Sequence, residues 1–161
     1  MPPAASRLLV IATIALLTVH GTLMATDELV FHRARGLSPW ERWGHPVDSL
    51  FFGFATVVAG FTQPSTINFF IFCFLSVASS LIVTKDEWVH TAACAPMENW
   101  LHALLFILHG PLLIALGILW MHGEAPWLRQ SLPVVVGLFC SYQLIYWLIF
   151  KRNTAHVRLP K

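Results

Sequence analysis

The chain has 161 residues, of which 57% are hydrophobic and 11% charged, against roughly a quarter charged in a soluble domain. This composition excludes a soluble globular domain and a disordered chain, and a formal charge of +2 cannot furnish the basic face of a nucleic-acid binder. What remains is an all-α integral membrane protein, because backbone exposed to a lipid bilayer must satisfy its own hydrogen bonds within helices.

Five apolar runs of about 20 residues, the length that crosses a hydrocarbon core of about 30 Å, are read at 8–26, 46–63, 67–84, 100–121 and 131–150. In the first run, Arg7 and the apolar stretch after it have the pattern of a cleaved leader. The run belongs to a duplication, however, and is read as a retained helix carrying His20. It leads into Asp27-Glu28-Leu29-Val30-Phe31-His32. A short loop follows, and Pro39-Trp40-Glu41-Arg42-Trp43-Gly44-His45 opens the second run, with Asp48 one turn further on. The third run leads into Asp86-Glu87-Trp88-Val89-His90. Pro96-Met97-Glu98-Asn99-Trp100-Leu101-His102 then opens the fourth, which also holds His109 and an internal Pro111 expected to kink the helix rather than end it. The fifth run, with Tyr142, Tyr146 and Trp147, is expected to close the bundle or dock a partner, and 151–161 reads as a tail.

An acidic pair followed by His, and then P-x-E-x-W-x-H, therefore occurs twice. Residues 8–63 and 67–121 form two parallel helical-hairpin repeats, and these four helices are expected to make a bundle with both turns on one face. Arg33, Arg35, Arg42, Lys85, Lys151, Arg152, Arg158 and Lys161 fall on that face, against Arg7 and Arg129 on the other. The bias makes it cytoplasmic, with the N-terminus outside and the C-terminus inside.

Of the acidic residues, only Glu124 lies away from the two copies. Glu28 and His32, Glu41 and His45, and Glu98 and His102 are four residues apart, and Glu87 and His90 three, so each pair shares a helical face. Asp27, Glu28, Asp86 and Glu87 sit at helix C-termini, where acids oppose the macrodipole. A bound cation would compensate them and take neutral imidazoles as further ligands. Four Glu and four His exceed the needs of one zinc and suit two ions.

The ligand set resembles the carboxylate-bridged di-iron class, in which Glu residues bridge and ExxH motifs complete the shell within a helix bundle. It departs from that pattern in its mostly four-residue spacing, and it lacks the dense histidine boxes of membrane desaturases. The resemblance implies iron, with zinc or manganese as the other metals the set would take. Glu28, His32, Glu41, His45, Glu87, His90, Glu98 and His102 are the expected ligands, with Asp27 and Asp86 beside them orienting the imidazoles. His20, Asp48 and His109 are ionisable groups within spans, a default sign of function. They are assigned to catalysis, flanking substrate or relaying protons.

The expected function is a membrane oxidoreductase whose dinuclear metal centre activates oxygen against a lipid-soluble substrate at the cytoplasmic boundary. The sequence has no nucleotide loop, flavin fingerprint or iron–sulfur cysteine set, so electrons would come from a donor protein. Three other readings stay open: a non-catalytic metal-stabilised subunit or metal carrier, a zinc-dependent lipid hydrolase, and a b-type haem protein with His20, His102 or His109 as axial ligands. The two turns could also meet counterparts in a homo-oligomer or a larger membrane complex. Ser38-Pro39-Trp40-Glu41 doubles as a helix capping box, whereas Ala95-Pro96-Met97-Glu98 lacks the capping Ser. Cys73, Cys94 and Cys140 form no redox pair, and Cys94 alone is near the expected ligands.

Overall fold

The computed structural model describes residues 1–151, with 86–89 described by their backbone alone. The expected tail beyond residue 151 lies outside the described residues. The described chain is helical, with no strand. Five long helical segments follow one another: α1 (Pro3–Arg35), α2 (Pro39–Phe61), α3 (Thr66–Ala93), α4 (Pro96–Met121) and α5 (Pro126–Phe150). All but α2 are long and apolar enough to cross a membrane. Helix α2 is 23 residues long but carries Glu41, Arg42, His45 and Asp48 in its first half.

The helix starts follow local chemistry. Pro39, Pro96 and Pro126 each occupy the first helical position, where the missing N–H is no loss. Ser38 caps α2 and Ser65 caps α3, each accepting from the backbone N–H three residues on. Gly36 ends α1 at φ +79°, a conformation side chains disfavour, with its N–H on the His32 carbonyl. Helix α4 runs through Pro111 without ending.

Three departures from α geometry matter for position. Helix α1 contains a π turn at Asp27–His32, α3 a 3₁₀ turn at Val83–Asp86, and α5 ends in a π turn at Leu144–Phe150. The apolar run of α1 stops at Thr26, yet the helix continues to Arg35, because the polar residues that follow turn inward rather than to water.

Helix α2 packs against both α3 and α5, and α1 against α4. One apolar core joins Ala55 and Ala59 of α2, Phe72 of α3, and Leu113 and Trp120 of α4. The α2–α5 contact depends on a missing side chain: a Cβ on Gly60 would lie 2.6 Å from the Arg129 carbonyl oxygen. The Arg129 guanidinium donates to the Ala59 carbonyl across the same contact. Outward positions such as Leu8, Phe70, Ile107 and Leu138 are exposed and apolar, whereas Asp27, Glu28, Glu41, Glu98 and several histidines are buried. This inverts a soluble domain and suits a chain whose surroundings are lipid.

Candidate metal centre

The π turn in α1 sets the geometry. Its wider i→i+5 pattern brings together Asp27 and His32, five residues apart, with Asp27 Oδ2 3.1 Å from His32 Nε2. The other oxygen, Asp27 Oδ1, is 3.0 Å from His102 Nε2 on α4. Glu98, one helical turn before His102, places Oε1 3.8 Å from His32 Nε2. Asp27, His32, Glu98 and His102 are all buried, and each offers a ligand atom within 4.8 Å of the others.

A second group, Glu41 and His45 of α2 with His90 of α3, meets the same limit, as does a third of His90, Cys94 and His102. His90 Nε2 is 3.7 Å from Glu41 Oε1. Ring centroids of His32 and His45 lie 4.6 Å apart, and those of His90 and His102 4.2 Å, so the groups form one continuous cluster. Four imidazoles and three carboxylates thus converge from four helices.

The nitrogens are the informative atoms. Both ring nitrogens of His32, Nε2 of His45 and Nδ1 of His102 are buried without a hydrogen-bond partner. A buried polar group left unpaired costs about 1–3 kcal/mol, and native proteins rarely carry such groups without an ion or water to explain them. His32 Nε2 approaches Asp27 to 3.1 Å yet makes no hydrogen bond with it. Such a nitrogen and carboxylate are placed as two donors to a common cation would be.

Charge leads to the same place. Asp27, Glu28, Glu41 and Glu98 are buried together, and Arg35 is the guanidinium set among them. Its Nη2 lies 2.8 Å from Glu41 Oε1 and 3.0 Å from Glu98 Oε1, one carboxylate from each ligand group. Glu41 Oε2 also accepts from the Ser38 N–H at 2.8 Å, completing a capping box with the Ser38 hydroxyl. Glu41 therefore caps α2 and faces the cluster at once. In the loop between α3 and α4, burial pushes the Cys94 thiol pKa up.

Glu28, expected among the ligands, has its carboxylate turned to α5, where it accepts from Trp147 Nε1 and, at 3.3 Å, from Gln143 Nε2. Its nearer oxygen is still 3.6 Å from His32 Nδ1. Asp27, expected beside the ligands, is the residue the π turn delivers into the cluster. The side chains of Asp86 and Glu87 lie outside the described residues. Asp48 does not join the cluster but pairs with Lys85, Nζ to Oδ2 2.6 Å.

His20 and His109 meet deeper in the helices, Nε2 to Nδ1 3.3 Å, and the far nitrogen of His109 is 2.9 Å from the Ser79 hydroxyl. His20 and His109 of this Ser–His–His chain, with Asp27, His32, His45, His90 and His102 of the cluster, line one cavity of about 480 Å³. Most of its remaining wall is apolar, including Ile14, Leu17, Leu132 and Val135.

Sequence reasoning missed the roles of Arg35, Ser79 and Gln143, and noted Trp147 only as part of a helix that closes the bundle. Arg35 hid within the positive-inside count. Gln143, an uncharged polar residue in an apolar run, was a readable signal of an interhelical partner.

No family model, curated protein or solved structure matches this chain.

Proposed function

We propose that the protein is an integral membrane oxidoreductase of five spans, α2 being the fifth. In this reading the two hairpins, 8–63 and 67–121, bring their turns together at the cytoplasmic face around a dinuclear centre, with iron as the metal. Glu98 with Asp27, His32 and His102 would hold one ion, and Glu41, His45 and His90 the other; Glu87 would complete the shell. The observation that carries this reading is the set of buried imidazole nitrogens on His32, His45 and His102 that make no hydrogen bond.

The chain's own residues would do the following. Arg35 ties Glu41 to Glu98 and so fixes the spacing of the two ligand groups. Glu28, locked to Gln143 and Trp147, holds the π turn against α5. The apolar cavity excludes water and admits a lipid-soluble substrate to the cluster. His20 and His109 line that path and can pass a proton along the chain to Ser79. When bound, the ions would supply one-electron chemistry toward dioxygen, with electrons from a donor protein.

Elemental analysis of detergent-purified protein, with an optical spectrum, tests this reading directly. Two irons per chain, lost in an Asp27→Ala/Glu98→Ala variant, are expected. No metal, or a Soret band, overturns it.

One observation favours a second reading. Arg35 and Ser38 engage both oxygens of Glu41, whereas both bonds from Arg35 to Glu98 fall on Oε1 alone, which leaves Asp27, His32, Glu98 and His102 as a four-ligand site. A single ion there would make a metal-stabilised subunit rather than an oxygenase. One ion per chain with no oxygen-dependent turnover is its signature.

A further inference from the structure

The cavity beneath the cluster has a shape and an entrance that say what it holds. On α1 its lining reaches from Ile14 to Asp27, thirteen positions apart or roughly 20 Å of helix, and on to Glu28 and His32. On α5 it is lined from Gln143 back to Leu128. About 480 Å³ lies along that length, with carboxylates and imidazoles at the cluster and, beyond His20, a channel that is apolar but for Thr18 and Ser131.

Helices α1 and α5 form opposite walls of this channel, and among the described residues their side-chain hydrogen bonds all lie at the polar end. They are Arg33 to the Tyr142 hydroxyl, and Glu28 with Gln143 and Trp147. Away from that clasp the two helices present Leu17 and Gly21 on one side and Leu132 and Val135 on the other. Gly21 both lines the channel and is exposed, and a Cβ built on it meets nothing within 4 Å. The channel is therefore open beside Gly21, at a depth where the surroundings of an apolar bundle are hydrocarbon.

We propose that this cleft takes up one hydrocarbon chain of a single-chain lipid sideways from the bilayer between α1 and α5. The lipid's oxygen-bearing head, alcohol, aldehyde or acid, lies against the histidine–carboxylate cluster. The orientation follows from the cavity: its carboxylates and imidazoles are gathered at one end, whereas the Thr18 and Ser131 hydroxyls toward the other already donate to their own helices, so a polar head placed there would lose hydrogen bonds. Chemistry at the centre would then fall on the head end of the chain rather than on its tail. That last step rests on the metal-centre reading; the binding site does not.

The test uses the full-length protein in phosphatidylcholine vesicles with a long-chain fatty alcohol and a fatty acid, each carrying a photoreactive diazirine in the tail. Labelled positions are expected on the cleft walls around Leu17, Gly21, Leu132 and Val135. Gly21→Trp, which fills the channel from a position with free space, should lower that labelling at least tenfold. Gly21→Leu should lower it less. Mapping in the unsubstituted protein decides the matter even if neither variant folds. Labelling no greater at the cleft than at outward Leu8, Phe70 and Ile107 overturns the site. So does equal labelling of the cleft by a two-chain phosphatidylcholine probe. Metal content of the same samples separates the two readings: cleft labelling without metal removes the metal centre alone, and metal without cleft labelling removes the lipid site alone.

Discussion

Asp27 and His32 are brought to 3.1 Å by a π turn that makes residues five apart share a face. The neighbouring pair four apart, Glu28 and His32, is looser at 3.6 Å. One extra residue in a helical turn thus exchanges the carboxylate presented to the cluster. Such turns recur at functional sites because the strained register must be held by its surroundings, here by Glu28 clamped to Gln143 and Trp147.

The two acids should therefore behave differently. Asp27→Asn is expected to abolish metal retention during purification, whereas Glu28→Gln should leave metal bound and weaken the α1–α5 contact by about 1–3 kcal/mol. Elemental analysis and thermal unfolding in detergent report the two effects separately. Equal metal loss in both variants would return Glu28 to the ligand set. Deleting Leu29 should restore α register, rotate Asp27 away from His32, and reproduce the Asp27→Asn result.

These relationships divide into those that spacing encodes and those that it does not. Pro39 and Pro96 mark the starts of α2 and α4 because proline is tolerated at a first helical position and Glu follows it. The recurrence of P-x-E-x-W-x-H brought Glu41, His45, Glu98 and His102 to notice for the same reason. The π turn has no such signature, since any hydrophobic sequence between Asp27 and His32 reads equally well as α. Arg35 was indistinguishable from other loop arginines, because burial between two carboxylates is a tertiary property. Asp48 drew notice for its place in an apolar span, and its pairing with Lys85, thirty-seven positions away, is a tertiary contact that spacing does not encode.

Arg35 is expected to be costly to remove when metal is absent. It lies between Glu41 and Glu98, both essentially buried, and deleting one partner of a buried charge pair typically costs about 3–5 kcal/mol. Arg35→Met should lower the unfolding temperature most in chelator, and added ferrous or zinc ion should restore part of the loss. A penalty indifferent to chelator and metal would mean that Arg35, not a cation, is what the carboxylates are built around.

The Ser79–His109–His20 chain should act on turnover rather than on metal. Ser79→Ala removes one buried hydrogen bond to His109 and should cost about 1 kcal/mol of stability. His20→Phe should keep the metal content while reducing oxygen consumption with a lipid substrate. Loss of metal from His20→Phe would show that these histidines belong to the ligand shell.

Two glycines on different helices give opposite expectations from the same substitution. At Gly60 an alanine Cβ would sit 2.6 Å from the Arg129 carbonyl oxygen and 3.2 Å from its carbon. These are backbone atoms that yield only if α2 and α5 separate, so Gly60→Ala should destabilise by about 1–3 kcal/mol. At Gly21 the added methyl meets open space, and replacing glycine by alanine within a helix is favourable by up to about 1 kcal/mol. Gly21→Ala should therefore be neutral or stabilising in thermal unfolding, with unchanged metal content. If Gly21→Ala proved as damaging as Gly60→Ala, the space beside Gly21 would be filled by a packed helix, and α1 and α5 would close on each other along their whole length.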